Sequence, residues 1–163
     1  MQQKVITHLW FDKEAEAAMN FYVEVFKGAP SQSFNASEVV RVTPYPGGFT
    51  EGPMAGMAGK VLNGEFKLGG VTFYCLDGGK QEFNFNEAVS LYVGCQDQAE
   101  IDYFYEKLSA VPEAEICGWC KDKYGLSWQI IPNDMEKMMT NKKAMEAMLK
   151  MKKIIIADLQ AAK

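Results

Sequence analysis

One imidazole limits the chemistry this chain can carry out. His8 is the only histidine in 163 residues, and because an imidazole titrates near neutrality it is the natural candidate for a general acid or base, or for a metal ligand. In an extended strand Ile6, His8 and Trp10 share one face, and Val5, Thr7, Leu9 and Phe11 the other. The plainer alternative is a hydrogen-bonded core histidine. The second candidate is Cys117-Gly118-Trp119-Cys120, a spacing used by redox couples and by half-sites for zinc. A redox pair sits at a helix N-terminus, where the dipole lowers the thiol pKa. Here a strand and turn follow, alternation sends the two thiols to opposite faces, and no second CxxC completes a zinc site. Two buried small residues are therefore expected.

The elements that must position these groups are duplicated. HLWFDKEAEAAMNFYVEVF, starting at His8, aligns without gaps to SLYVGCQDQAEIDYFYEKL, starting at Ser90. Leu9 falls on Leu91, Trp10 on Tyr92, Phe21 on Tyr103 and Glu24 on Glu106, so two similar modules follow one another. Each copy opens with a short β-branched and aromatic strand, Val5 to Phe11 and Val89 to Val93. A helix follows each. In the first, Asp12 is the expected N-cap and Ala15, Ala18, Met19, Tyr22, Val25 and Phe26 form the apolar face. In the second, Asp97 and Glu100 make a capping-box start ahead of a stripe of Ile101, Phe104, Tyr105 and Leu108.

Further strands are expected at Ser33 to Thr43, Val61 to Leu68 and Val71 to Leu76, with Gly69-Gly70 as a tight hairpin, and at Ala114 to Cys120 and Ser127 to Ile131 around an Asp122 to Gly125 turn. The unit is βαβββ, given twice. The Pro- and Gly-dense run between Pro44 and Gly59 reads as a lid or as an elongated hairpin loop. After Pro132 a helical tail alternates a stripe of Met135, Met138, Met139, Met145, Met148, Leu149, Ile155, Ile156 and Leu159 with lysines, which reads as core or dimer packing rather than as a membrane surface. The expected boundaries are 1–80 and 81–132 for the modules and 133–163 for the tail, all in one structural domain.

Composition removes several classes of function. With 48% hydrophobic residues and 10 Phe, 7 Tyr and 3 Trp, the chain can bury a core and is not disordered. A net charge of -4 from 17 basic and 21 acidic residues argues against a nucleic-acid surface. No run reaches the length of a membrane span, and Met1 to Thr7 lacks a signal-peptide layout. A cytoplasmic protein is expected, with Cys75, Cys95, Cys117 and Cys120 as reduced thiols.

Several motifs together resemble the vicinal oxygen chelate superfamily, which includes glyoxalase I, extradiol dioxygenases, and fosfomycin- and bleomycin-resistance proteins. They are His8 to Asp12 with Ala17-Ala18 and Phe21-Tyr22; Leu76-Asp77-Gly78-Gly79; Phe85 to Ser90; Cys117-Gly118-Trp119 with Lys121 to Pro132; and Ala147 to Ile154. The match is closest to its PhnB-like branch, also labelled 3-demethylubiquinone-9 3-methyltransferase-like. The resemblance implies an α+β fold of the glyoxalase/bleomycin-resistance type: two tandem βαβββ modules whose curled mixed sheets surround a cavity, plus a C-terminal helix. Members with chemistry hold a divalent metal there through His, Glu or Gln. The first-strand ligand position falls on His8, its repeat partner on Ser90 and the final-strand ligand on Gln129. The fourth would lie between Val71 and Leu76, which offers no His, Asp, Glu or Gln.

Two donors, one of them a neutral amide, are too few to hold a divalent metal firmly, so no cofactor is expected; any metal would sit on His8 and Gln129. If one face of each first strand lines the cavity, His8, Trp10, Ser90, Tyr92 and Gln129 form an aromatic-walled pocket for a small organic ligand. The methyltransferase label does not fit: S-adenosylmethionine enzymes of the common type need a Gly-rich turn between a parallel strand and a helix, whereas Gly47-Gly48, Gly69-Gly70 and Gly78-Gly79 lie between strands or in loops. The expected function is a glyoxalase-like, small-molecule-binding homodimer of unassigned reaction. Two alternatives stand beside it: a metal-dependent lyase, isomerase or dioxygenase using His8, and a partner-binding module acting through its Met/Lys-rich C-terminal helix.

Overall fold

Alternation decides the first strand: in β1 (Thr7–Phe11) Leu9 and Phe11 are buried while His8 and Trp10 are exposed. The structure, a computed structural model, describes residues 3–162. Met1, Gln2 and Lys163, which the expected boundaries include, lie outside the described residues. The chain divides into two units, Met1–Phe83 and Asn84–Lys163.

In the first unit β1 is followed by α1 (Ala15–Lys27), a 3-10 turn (Gln32–Phe34), β2 (Glu38–Pro44), β3 (Val61–Leu68) and β4 (Val71–Asp77). The sheet order is β1-β4-β3-β2, with β1 parallel to β4 and the other pairs antiparallel. This is the expected βαβββ unit. The buried face of α1 is the predicted set Ala15, Ala18, Met19, Tyr22, Val25 and Phe26. It packs on the sheet through Tyr22, whose ring stacks on Phe66, which in turn stacks on Phe73. The run after Pro44 is an elongated hairpin loop, closed at its base where Tyr45 N–H donates to the Lys60 carbonyl at 2.7 Å and anchored by buried Met57.

The N-terminus of α1 differs from expectation. Asp12 is not the cap: the helix begins at Ala15, and Glu14 at the N-cap position makes no side-chain capping bond. Parallel pairing sets Phe11 opposite Asp77, which brings the last carboxylate of β4 to the first turn of the helix. Asp77, 1% exposed, accepts from Ala15 N–H at 2.8 Å and from Val61 N–H at 2.9 Å. A buried anion there satisfies one orphan donor of the helix and complements its dipole, and it ties α1, β3 and β4 together.

The second unit contains β5 (Ser90–Cys95), α2 (Gln98–Leu108), a 3-10 turn (Pro112–Ala114), β6 (Trp119–Lys121) and β7 (Ser127–Pro132). Its order is β5-β7-β6, with β5 parallel to β7. The helix start resembles the expected capping box: the N-cap Asp97 accepts from Glu100 N–H at 2.9 Å, while Glu100 reaches one residue further back and accepts from Gln96 N–H at 2.7 Å. One strand fewer forms than expected among the described residues, so the second copy is βαββ. Pro112 withholds a ladder donor, and the chain from Ala114 to Cys120 reverses instead of running straight. Ile116 and Trp119 exchange backbone bonds of 3.2 and 2.8 Å around Cys117 (φ 51°) and Gly118 (φ 84°). Two successive positive φ values are the geometry of a tight primed hairpin turn. At Gly118 a Cβ would also lie 2.6 Å from Ile131 Cδ1.

The β6–β7 turn is held by Asp122, 1% exposed, which accepts from Tyr124 N–H (2.8 Å), Leu126 N–H (3.1 Å) and Trp128 Nε1–H (2.8 Å). The tail is helical, but as three short helices rather than one: α3 (Met135–Met138), α4 (Lys142–Met148) and α5 (Ile156–Ala161). Asn141 starts α4 afresh by accepting from Ala144 N–H at 3.0 Å, and the β-branched run Ile154 to Ile156 has little helix propensity. The apolar stripe packs within its own unit, where Met138, Ile154 and Leu159 form a core with Ile131. Carbonyls of Met151 and Lys152 accept from Cys117 N–H and Gly118 N–H at 2.8 and 2.7 Å. Among the described residues no helix is long and apolar enough to cross a membrane.

Replacing Asp77 with Ala removes two bonds to a buried charge and is expected to destabilise the protein by about 3 kcal/mol in urea unfolding. Asp77→Asn, which keeps a carbonyl acceptor, should lose less. A loss under about 1 kcal/mol for Asp77→Ala would refute the locking role.

Candidate functional site

In the first unit, the sheet face opposite α1 carries a polar row. His8 lies beside Tyr74 in register, Tyr74 beside Glu65, and Glu65 beside Arg41. The His8 and Tyr74 rings meet edge to face with centroids 6.2 Å apart, and Arg41 pairs with Glu65 at 3.2 Å. His8 is exposed, so the core-histidine alternative is not what forms. One residue pair along, the Trp10 indole lies over Gly78, donates from Nε1 to the Gly79 carbonyl at 3.4 Å, and meets Phe83 edge to face at 5.6 Å. A Cβ at Gly78 would fall 1.9 Å from Trp10 Cζ2, which gives the Asp77-Gly78-Gly79 motif a physical cause.

In the second unit, Gln129 Nε2–H donates to Ser90 Oγ at 2.8 Å, and Gln129 stands between Tyr92 and Trp119 in the strand register. Tyr92 is 59% exposed; desolvation, then Cys95 and Glu136, hold its phenol above the ordinary range. Three of the five expected residues, Ser90, Tyr92 and Gln129, are therefore adjacent on this sheet, and the other two, His8 and Trp10, share a face of β1.

The donors at the positions the superfamily uses for metal do not fit a divalent cation. The strand neighbour of His8 is a phenol, and the Gln129 amide and Ser90 hydroxyl are bonded to each other. The one carboxylate of β4, Asp77, is buried and engaged with backbone N–H groups. Among the described residues no group of three or more His, Cys, Asp or Glu side chains could hold a metal ion.

Sequence reasoning missed a second feature, a cleft of about 490 Å³ in the second unit lined by residues that include Glu87, Ile116, Cys117, Trp119 and Ser127. Lys121 donates to Glu87, and that bond holds the Glu87 carboxyl below its usual range. Glu87, Cys117, Trp119 and Ser127 all lie in motifs visible in the sequence, but the cleft itself depends on the chain reversing at Cys117-Gly118. The two CxxC cysteines are not both buried, contrary to expectation, because the chain reverses at Cys117-Gly118. Cys120 is buried in β6, whereas Cys117 is half-buried in the turn with its Sγ 3.4 Å from the Met148 carbonyl. Burial first, then the Asp77, Glu100 and Asp122 carboxylates respectively, push the Cys75, Cys95 and Cys120 thiols up to about 12.

A paired-module α+β fold with mixed sheets, in which each first strand lies parallel to the last, is that of the glyoxalase type within the vicinal oxygen chelate superfamily. Residues 3–131 match the family model described as 3-demethylubiquinone-9 3-methyltransferase, and the chain belongs to that PhnB-like family. It is similar to the solved structure of a Bacillus cereus PhnB protein of the same description, with 36% identity over 80% of this chain and 98% of that one and a TM-score of 0.62. A Pseudomonas aeruginosa protein, 14% identical over 80% and 97% of the two chains, shares the fold at a TM-score of 0.54. No curated protein matches the chain. The connections from β1 to α1 and from β5 to α2 (residues 12–14 and 96–97) contain no glycine and so do not supply the Gly-rich strand-to-helix turn of the common S-adenosylmethionine enzymes.

At pH 8 a thiol that titrates near 12 is thiolate in only about one part in 10,000. Alkylation of the folded protein is therefore expected to modify Cys117 alone, with the other three reacting only in denaturant. The same shifts favour the protonated thiols in the folded state. Their contribution to stability is complete below the unfolded thiol pKa and is lost as pH rises toward 12, so the urea midpoint should fall from about pH 9 upward. Rapid native labelling of Cys75, Cys95 or Cys120, read by peptide mass spectrometry, would contradict this.

Proposed function

We propose that the chain binds a small organic molecule without a metal at the polar and aromatic residues on an exposed sheet face, with Ser90, Tyr92 and Gln129 as the candidate set of the second unit and His8 and Trp10 as that of the first. The observation that carries this reading is the bond from Gln129 to Ser90. It occupies the final-strand ligand position with a neutral amide already held by a hydroxyl, beside an exposed aromatic ring. Exposed aromatics next to a few convergent polar groups suit an organic ligand. No reaction is assigned.

The experiment is elemental analysis after mild dialysis, of wild type and His8→Ala, alongside a thermal-shift screen of aromatic ligands. Metal-free protein is expected in both, with hits whose affinity falls at least about fivefold in Trp10→Ala or Gln129→Ala, the loss of one good contact. The second reading, a metal-dependent lyase, isomerase or dioxygenase, draws support from the exposure of His8. Near-stoichiometric metal in wild type, lost in His8→Ala, would replace the first reading with it. The tail as a partner-binding element has less support, because much of its apolar stripe is packed in its own unit.

The same proposal includes a homodimer. In the first sheet β2 is an edge strand and exposes Val40 and Val42, an edge of the kind that proteins pair or cover. Analytical ultracentrifugation is expected to give a dimer that Val42→Lys weakens; a monomer at all concentrations would remove this part.

A further inference from the structure

We propose that the cleft of the second unit is the binding site for a small aromatic amine that carries a hydrogen-bonding group at its far end. The argument starts at the floor. Ser127 is 1% exposed, and its Oγ, alone among the buried side-chain nitrogen and oxygen atoms described, has no hydrogen-bond partner. Buried hydroxyls are nearly always paired, and Ser127 lines the cleft, so its hydroxyl, once turned toward the cleft, is the group whose bond a ligand atom would complete. The hydroxyl can donate or accept, which suits a phenol or alcohol.

The walls are apolar and unusually bare. Ile116 is 57% exposed at the lip, and Trp119 presents a half-buried indole. A ring between them would leave water, and a cationic group near the indole would gain from its π face.

The charge at the rim selects the ligand's sign. Glu87 is ion-paired with Lys121, which cancels it, whereas Glu113 is exposed and has no ion-pair partner among the described residues. The uncompensated charge at the mouth is therefore negative and favours an ammonium. A volume of about 490 Å³ accommodates a substituted aromatic ring. Ser127 is the strand neighbour of Ser90, and Trp119 of Gln129, so the cleft adjoins the residues of the function proposed above and this inference rests on that reading.

The probes are tyramine, phenethylamine, which lacks the hydroxyl, and 4-hydroxyphenylacetate, which reverses the charge. They are titrated by calorimetry into wild type, Ser127→Ala, Glu113→Gln and His8→Ala. Half-buried Cys117 on the cleft wall supplies a second readout through its alkylation rate. Tyramine is expected to bind about fivefold more tightly than phenethylamine, the value of one hydrogen bond, and Ser127→Ala should abolish that preference. It should also bind more tightly than 4-hydroxyphenylacetate, by a margin that narrows in Glu113→Gln. Saturating tyramine should slow Cys117 alkylation at least tenfold, in His8→Ala as in wild type. Binding without protection of Cys117, no binding of tyramine, or an unchanged preference in a Ser127→Ala protein whose buried thiols stay unreactive would overturn the proposal. Glu113→Gln changes only an exposed residue, so it tests the charge selection even if Ser127→Ala fails to fold.

Discussion

Parallel pairing of the first and last strands within each unit is the constraint on which the rest depends. Two parallel strands cannot be joined by a tight turn; the chain must cross over, and in both units a helix follows the first strand. That helix needs an apolar partner, so one face of each first strand is committed to the core. In the first unit these residues are Leu9 and Phe11. The alternate residues, His8 and Trp10, are then free of packing duty, and chemistry can be placed on them.

The same pairing explains why carboxylates sit inside the first unit and close the second. Parallel register delivers Asp77 to the start of α1, where an anion caps donors that nothing else reaches. In the second unit the sequence caps α2 locally with Asp97 and Glu100, and the carboxylate at the matching end of the sheet gives way to Pro132. Asp122 serves instead at the hairpin, holding Trp128 by its indole N–H. Duplicated folds thus reach equivalent geometries with differently placed charges, and each choice frees or fixes other residues. Because Asp77 holds backbone N–H groups, it is not available to a ligand.

Much of the fold was legible in the sequence because burial follows periodicity. The six buried positions of α1 and the face of β1 follow from spacing alone, as does the Asp97 cap of α2. What escaped notice depends on contacts between distant residues. Asp12 is the better local cap, but Asp77 arrives from 62 residues along the chain. Ala114 to Cys120 has strand-like composition, yet Pro112 and the positive φ angles at Cys117 and Gly118 break it. The tail has helical periodicity, yet Asn141 and the Ile154 to Ile156 run divide it. At the candidate site, Ser90 and Tyr92 could be placed from the repeat and Gln129 from the family resemblance, but the bond between Ser90 and Gln129 and the orphaned Ser127 hydroxyl depend on strand register, which no local pattern encodes.

The proposed reading of the site, an organic ligand held without a metal, turns on whether His8 takes up a divalent cation. His8, the only histidine, gives a single imidazole signal in a ¹³C- or ¹⁵N-histidine-labelled sample, so titration with zinc or nickel followed by NMR tests this at one atom group. Only weak, unsaturated shifts up to about millimolar metal are expected, as for a lone exposed imidazole. A saturable shift at micromolar metal would contradict the reading.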